Sequence, residues 1–353
     1  MIKHIFLQNF RSYKKQEFSF EKTTLILGPN TSGKTNLIEA IYLLSTGKSF
    51  RTEKDIQMLK FNEEVGRVKS SVDDIELEVL ITNGLVNGRS QYKKFLVNGV
   101  SRRRIDFSGN LLSVLFSPQD LDIIIDSPGL RRNFLDEVLE QVDRNYRLAL
   151  LSYSKSLRQR NALLEDARET GIRNQKQFEY WDNLVIENGN IITLKRQEFI
   201  DFANSAAKDI FDFLITYDKS IISKERLLQY EREELVSGVT LVGPHRDDFS
   251  VSMLNPSTSL GQATAHDVKF FGSRGQQRLA ILQLKALELL FIEKTLGKRP
   301  ILILDDIFSE LDKEHIDLIF DQIGKQQTIL STTHKEFIPK KMLKSMKIIS
   351  FIK

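Results

Sequence analysis

Residues 28–35 read Gly28-Pro29-Asn30-Thr31-Ser32-Gly33-Lys34-Thr35, a glycine-bounded loop that closes on a lysine and a hydroxyl residue. That order of residue types suits a polyphosphate. Gly28 and Gly33 let the backbone curl until successive N–H groups face an anion, and the helix that follows adds the positive end of its dipole. Lys34 brings a mobile cation for the β- and γ-phosphates, and Thr35 a hydroxyl for Mg2+. The flanks fit: the β-type run Thr23-Thr24-Leu25-Ile26-Leu27 precedes, and after Asn36 apolar residues at 37, 38, 41 and 44 recur at helical spacing. Residues 28–36 are therefore the expected cradle of ATP.

A second group of candidate residues lies far along the chain. Ile301-Leu302-Ile303-Leu304 is a continuous apolar run, as in a strand buried on both faces, and it ends in Asp305-Asp306. A carboxylate at the tip of a central strand beside a phosphate loop suits a metal shell. Asp305 is the expected Mg2+ ligand, and Asp306 the group that orients or deprotonates an attacking water. Upstream, Phe271-Gly272-Ser273-Arg274-Gly275-Gln276-Gln277-Arg278 runs into a helix that closes at Gly297 and Pro300. Ser273, Gly275 and Gln276 either offer a second anion-binding helix start or simply cap the helix.

These residues need a scaffold of strands with a separate helical part. Short β-type runs fill the first hundred residues, at Ile2–Leu7, Glu17–Phe20, Thr23–Leu27, Val65–Ser71, Ile75–Ile81 and Tyr92–Val97, with a hairpin signal at Asn98-Gly99. From Asp120 to Leu214 helical periods take over. Phe178, Trp181, Val185, Ile192, Phe199, Ala203, Ala206, Ile210 and Phe213 form one apolar face, which predicts packed core and not a coiled-coil rod. The expected organisation is α/β: an ATPase head at 1–118 and 237–353, split by an inserted helical lobe at 119–236. The 353 residues are 41% hydrophobic and 28% charged, an ordinary globular balance. The absence of cysteine removes disulfides, thiolate metal sites and thiol nucleophiles. No run approaches a membrane span, so a cytoplasmic protein is expected. Fifty-one Lys and Arg against 47 Asp and Glu leave +4, which permits nucleic-acid binding without indicating it.

Ser-x-Gly-Gln before a helix, then Leu-Asp-Asp, then Ser309-Glu310-Leu311-Asp312, resembles the signature, Walker B and D-loop series of the ABC-type ATPases. In that superfamily the signature of one subunit closes over ATP held by the phosphate loop of another. Further stretches narrow the resemblance: Asn9-Phe10-Arg11-Ser12-Tyr13, Gly47-Lys48-Ser49-Phe50-Arg51, Leu115-Phe116-Ser117-Pro118-Gln119-Asp120-Leu121, Ser127-Pro128 with Arg131-Arg132-Asn133-Phe134-Leu135-Asp136, and Gly243-Pro244-His245-Arg246-Asp247-Asp248. Together they resemble the RecF family of bacterial DNA replication and repair proteins, from residue 1 to beyond 330.

The resemblance implies an SMC-like ATPase head that uses ATP and Mg2+ and acts in DNA replication, repair and the SOS response to DNA damage. It also implies dimerisation on ATP, binding of gapped or junction DNA without sequence preference, and work with RecO and RecR to load RecA. By position, Gln119 resembles the Q-loop residue that senses Mg2+ and the γ-phosphate, and His334 resembles the switch histidine. His334, a lone histidine in a polar loop, also reads as simply solvated. Asp306 stands where transporter ATPases carry glutamate, one methylene longer, so turnover is expected to be slow; a weak, DNA-stimulated ATPase is expected. Candidate DNA-backbone contacts are Arg11, Lys14, Lys15, Lys48, Arg51, Lys93, Lys94, Arg102, Arg103, Arg104, Arg131 and Arg132. The alternatives are the nucleotide-binding subunit of an ABC-type transporter and a DNA-binding module with a vestigial ATP site.

Overall fold

The computed structural model describes residues 1–85, 91–255, 264–309 and 324–351, so Glu310, Leu311 and Asp312 of the D-loop series lie outside the described residues. Its strands are β1 (Ile2–Phe10), β2 (Tyr13–Ser19), β3 (Thr23–Leu27), β4 (Val65–Val72), β5 (Ile75–Thr82), β6 (Lys93–Val97), β7 (Val100–Arg102), β8 (Ser113–Phe116), β9 (Leu214–Asp218), β10 (Asp248–Asn255), β11 (Thr264–Asp267), β12 (Ile301–Asp305), β13 (Thr328–Thr332) and β14 (Lys347–Ser350). The chain divides into two compact units, Met1–Asp120 with Glu288–Lys353, and Leu121–Leu287.

The first unit holds two sheets. One is antiparallel, in the order β2-β1-β4-β5-β6-β7, and the other is parallel, in the order β14-β3-β13-β12-β8. In the antiparallel sheet β4 alternates, with every second residue buried, which leaves one face for the core. In the parallel sheet β12 and β13 are buried at all five positions, which accounts for the apolar run Ile301–Leu304 of β12, while β13 buries Thr328, Ser331 and Thr332 beside Ile329 and Leu330. Asn98 and Gly99 both take positive φ, 50° and 75°, and close the β6–β7 hairpin as their sequence predicts. The helix Lys34–Thr46 is buried nearly all round, and its apolar residues share one core cluster with Ile5, Val68 and Val79 of one sheet and Ile26, Ile303 and Ile329 of the other. A helix enclosed in this way cannot shift without opening both sheets.

The second unit is built on two long helices, Arg144–Thr170 and Gln175–Ser205, which pack along each other through a short turn at Gly171, φ +73°. Asp143 and Asn174 cap them with side-chain oxygens on backbone N–H groups. Phe178, Val185, Ile192 and Phe199 recur every seventh residue and are buried, whereas the stripe ends earlier than its periodicity suggests. Ala206, Ile210 and Phe213 lie past the helix. There the Asn204 amide exchanges two 2.8 Å bonds with the Ile215 backbone, and Gln283 accepts the Ile210 N–H at 2.8 Å, so the chain turns into β9. The lobe expected to close at 236 continues to Leu287, because β10 pairs with β9 and β11 in a three-stranded sheet of this unit.

Candidate nucleotide site

The loop between β3 and its helix has the backbone an anion cradle needs. Thr31 and Gly33 take positive φ, 68° and 106°, and Gly33 opens the helix. Pro29, Asn30 and Thr31 are exposed, while Lys34 is 5% exposed. The Lys34 ammonium donates to the carbonyls of Gly28 and Pro29 at 2.8 and 3.0 Å, folded over the loop. Burial pushes its pKa down, and Asp306 and Asp305 pull it back up. The Ser32 hydroxyl is buried with no hydrogen-bond partner, so the loop holds an unmet polar group as well as a cation. Both suit phosphate oxygens.

Because every strand of the second sheet is parallel, their C-terminal ends share one edge, and the loops that leave it carry most of the expected site. Asp305, at the tip of β12, is 5% exposed and accepts from Ser331 Oγ at 2.6 Å and Thr35 Oγ1 at 3.4 Å. Burial raises its pKa, and the Asp306 charge adds to the rise, while the two hydroxyls and Lys34 oppose it. Asp306 sits at φ +52°, its N–H shared between the Ser331 carbonyl and hydroxyl at 3.2 and 3.1 Å. No cluster of three or more His, Cys, Asp or Glu that could hold a metal occurs among the described residues. Thr35 and Asp305 fit Mg2+ as it is usually bound, through one carboxylate and phosphate oxygens.

His334 and Gln119 leave the same edge but are exposed. His334 follows β13, the strand between β3 and β12, and its Nδ1 lies 3.9 Å from Glu336. Gln119 follows β8, three strand spacings from β3, roughly 14 Å. It neighbours the Asp305 strand and not the loop. Ser273 and Gln276 belong to the second unit, where they form a capping box: Gln276 N–H donates to Ser273 Oγ at 3.3 Å, and Ser273 N–H to Gln276 Oε1 at 2.8 Å. Gly275 is exposed within that first turn.

Sequence reasoning missed Glu39. Its carboxylate is fully buried and accepts from Arg11 Nε at 2.8 Å and Ser49 Oγ at 2.5 Å, with Arg51 Nη1 at 3.5 Å. Arg51 also reaches Asn36 Oδ1 at 2.8 Å, and Asn36 reaches Ser12 at 2.9 Å. The helix after the phosphate loop is thus tied to the Asn9–Tyr13 turn and the Gly47–Arg51 segment. The available signal was a lone acid among Leu37, Ile38, Ala40 and Ile41.

Several expected DNA contacts are internal instead. Arg131 is 6% exposed and makes a two-pronged bond to Asp248 at 2.6 and 3.0 Å, and Arg132 donates to the Asp247 carbonyl at 2.7 Å. Lys93 is held by Gly47 O and Asp55, and Arg104 by Thr46 O. Lys14, Lys15, Lys94, Arg102 and Arg103 remain exposed. The Gly243–Asp248 stretch is structural too. Asp247 accepts from Arg196 at 3.0 Å and from Tyr217, and His245 bridges Tyr153 Oη and Thr240 O at 2.7 and 3.0 Å. Burial, helped by Arg246 and Arg132, pushes the His245 pKa down to about 4, so it stays neutral.

The model of the RecF/RecN/SMC N-terminal domain matches residues 1–351. DNA replication and repair protein RecF of Agathobacter rectalis is 33% identical over 367 residues, covering 100% of this chain and 98% of that protein. The chain belongs to the RecF family. RecF of Bacillus cereus (strain G9842) is 34% identical over 372 residues, 99% of this chain and 96% of that one. Among solved structures, the recombination mediator protein RecF-ATP in the RecFOR pathway superposes with a TM-score of 0.84 at 32% identity, covering 96% of this chain and 93% of that one. An Smc head domain from Pyrococcus yayanosii, at TM-score 0.51 and 14% identity, shares the fold. RecF membership over the whole chain sets aside the transporter alternative, and no helix among the described residues is long and apolar enough to cross a membrane.

Proposed function

We propose that the protein is an ATP-dependent DNA-binding protein of replication and recombinational repair. It dimerises on ATP at gaps or single-strand/double-strand junctions and acts with RecO and RecR in loading RecA. The observation that carries the ATP reading is the shared edge of the parallel sheet, where Lys34 caps the phosphate loop and Thr35 meets Asp305. A RecF relative at 32% identity is described with ATP, which supports the same nucleotide here.

In this reading Lys34 leaves the Gly28 and Pro29 carbonyls for phosphate oxygens, and the loop amides and Ser32 complete the cradle. Bound Mg2+ supplies charge neutralisation at the transferring phosphoryl group. Thr35 and Asp305 hold it, Asp306 orients the water, and Gln119 and His334 approach the γ-phosphate from the flanking loops. Ser273, Gly275 and Gln276 come from a second copy, so hydrolysis requires the dimer. Asp306 is shorter than glutamate and makes turnover slow, which suits a timer of DNA residence. Hydrolysis and sedimentation with gapped DNA, blunt duplex and no DNA test the proposal. Stimulation and dimerisation greatest on gapped DNA are expected, and rates indifferent to DNA would contradict it.

A further inference from the structure

The phosphate loop is also gripped by two aromatic residues that belong neither to it nor to its helix. Tyr13 opens β2, and its hydroxyl donates to the Gly33 carbonyl at 2.9 Å. The same carbonyl accepts the Leu37 N–H at 3.1 Å, at the start of the helix. Phe351 follows β14, where its N–H donates to the Leu27 carbonyl at 2.8 Å. Its Cβ lies 2.8 Å from the point where a side chain on Gly28 would begin. The Phe351 ring is 5.6 Å from Phe18 and 6.4 Å from Tyr13, and Tyr13 meets Phe18 edge-on at 5.5 Å. Both glycines that bound the loop therefore touch one aromatic cluster.

A trans peptide is planar, with its C=O and the following N–H pointing in opposite directions. A bond that draws the Gly33 carbonyl toward Tyr13 thus aims the Lys34 N–H the other way. Gly33, at φ +106°, has no side chain to hold that plane itself. Burial raises the Tyr13 pKa well above its ordinary value, so the hydroxyl remains a donor.

We propose that Tyr13 is a positioning residue for the nucleotide: its hydroxyl, steadied by Phe18 and Phe351, sets the Gly33–Lys34 peptide for phosphate before the nucleotide arrives. The inference rests on the ATP site proposed above. It is tested by titrating fluorescent ATP and ADP analogues into wild type, Tyr13→Phe, Phe351→Leu and Lys34→Ala, and by melting each without nucleotide. Tyr13→Phe keeps the ring and loses one hydroxyl. It is expected to weaken ATP and ADP alike by roughly threefold to tenfold while lowering the nucleotide-free melting midpoint by no more than about 2–4 °C, the cost of one hydrogen bond, with Phe351→Leu weakening both nucleotides in the same way. Equal affinity of Tyr13→Phe and wild type overturns the proposal, and so does a lowered midpoint with affinity intact. Lys34→Ala binding as tightly as wild type overturns the ATP site itself, and with it this inference.

Discussion

Asp305 is a carboxylate held where water is scarce, and the two demands on it conflict. The metal role proposed for it needs the charged form, while burial disfavours that form. Its folded-state pKa is raised, so the protonated form favours folding; that contribution is present below about pH 4 and is lost as pH rises through the raised value. Asp305→Asn does not titrate and still accepts the Ser331 hydroxyl. Without nucleotide the variant is expected to be more stable than wild type at neutral pH, by about 1 kcal/mol, with the difference opening as pH climbs from about 4. Melts across that range check it, and a variant less stable at pH 7 would count against a strained carboxylate. The stabilisation that ATP with Mg2+ gives wild type should vanish in the same variant. Glu39 shows the opposite logic, since its charge is matched by Arg11 and Arg51. Glu39→Ala leaves the partly buried Arg11 without its carboxylate, while Arg51 is exposed and keeps Asn36, and is expected to cost about 2–3 kcal/mol in urea unfolding, whereas a loss below about 1 kcal/mol would mean the network is incidental.

Elements divide into those whose pattern is local and those set by distant partners. The β3 strand, the phosphate loop and its helix were legible because strand, glycines and helical spacing follow one another directly, and β12 because a strand covered on both faces shows an unbroken apolar run. The end of the Gln175–Ser205 helix was not, because Asn204 and Gln283 end it through bonds to Ile215 and Ile210 that no periodicity announces. The extent of the second unit was not legible either, since only the pairing of β10 with β9 assigns β10 to it. Charge was the least legible, since an arginine in sequence does not reveal whether a carboxylate awaits it. Arg131 and Arg102 look alike as residues, yet one is buried on Asp248 and the other stands exposed on β7. Reversing Arg102 and Arg103 to Glu is expected to leave folding intact. It should also reduce the slope of log DNA affinity against log salt by about 2. Arg131→Glu should instead destabilise by about 3–5 kcal/mol. Equal salt slopes for wild type and the double reversal would remove the hairpin from the DNA surface.

For the whole molecule, the proposed cycle turns on how long an ATP-bound dimer persists, and Asp306 is the residue placed to set that time. Its positive φ restricts the useful substitutions. Asparagine tolerates the left-handed region at least as well as aspartate, whereas alanine there adds backbone strain of about 1 kcal/mol. Asp306→Asn therefore keeps the backbone and the N–H bonds to Ser331 while removing the carboxylate proposed to orient water. Hydrolysis in the presence of gapped DNA is expected to fall by about 100-fold or more, the usual loss for a positioned base. ATP affinity should change little, because Lys34, Thr35 and Asp305 are untouched. With hydrolysis slowed and binding kept, the variant should sediment as a dimer in ATP long after wild type has returned to monomer, and should leave DNA correspondingly late. Sedimentation and DNA dissociation followed after a single addition of ATP distinguish the cases. A variant that hydrolyses slowly yet releases DNA as fast as wild type would separate DNA residence from hydrolysis, and the ATP site would then have to act on DNA through binding alone.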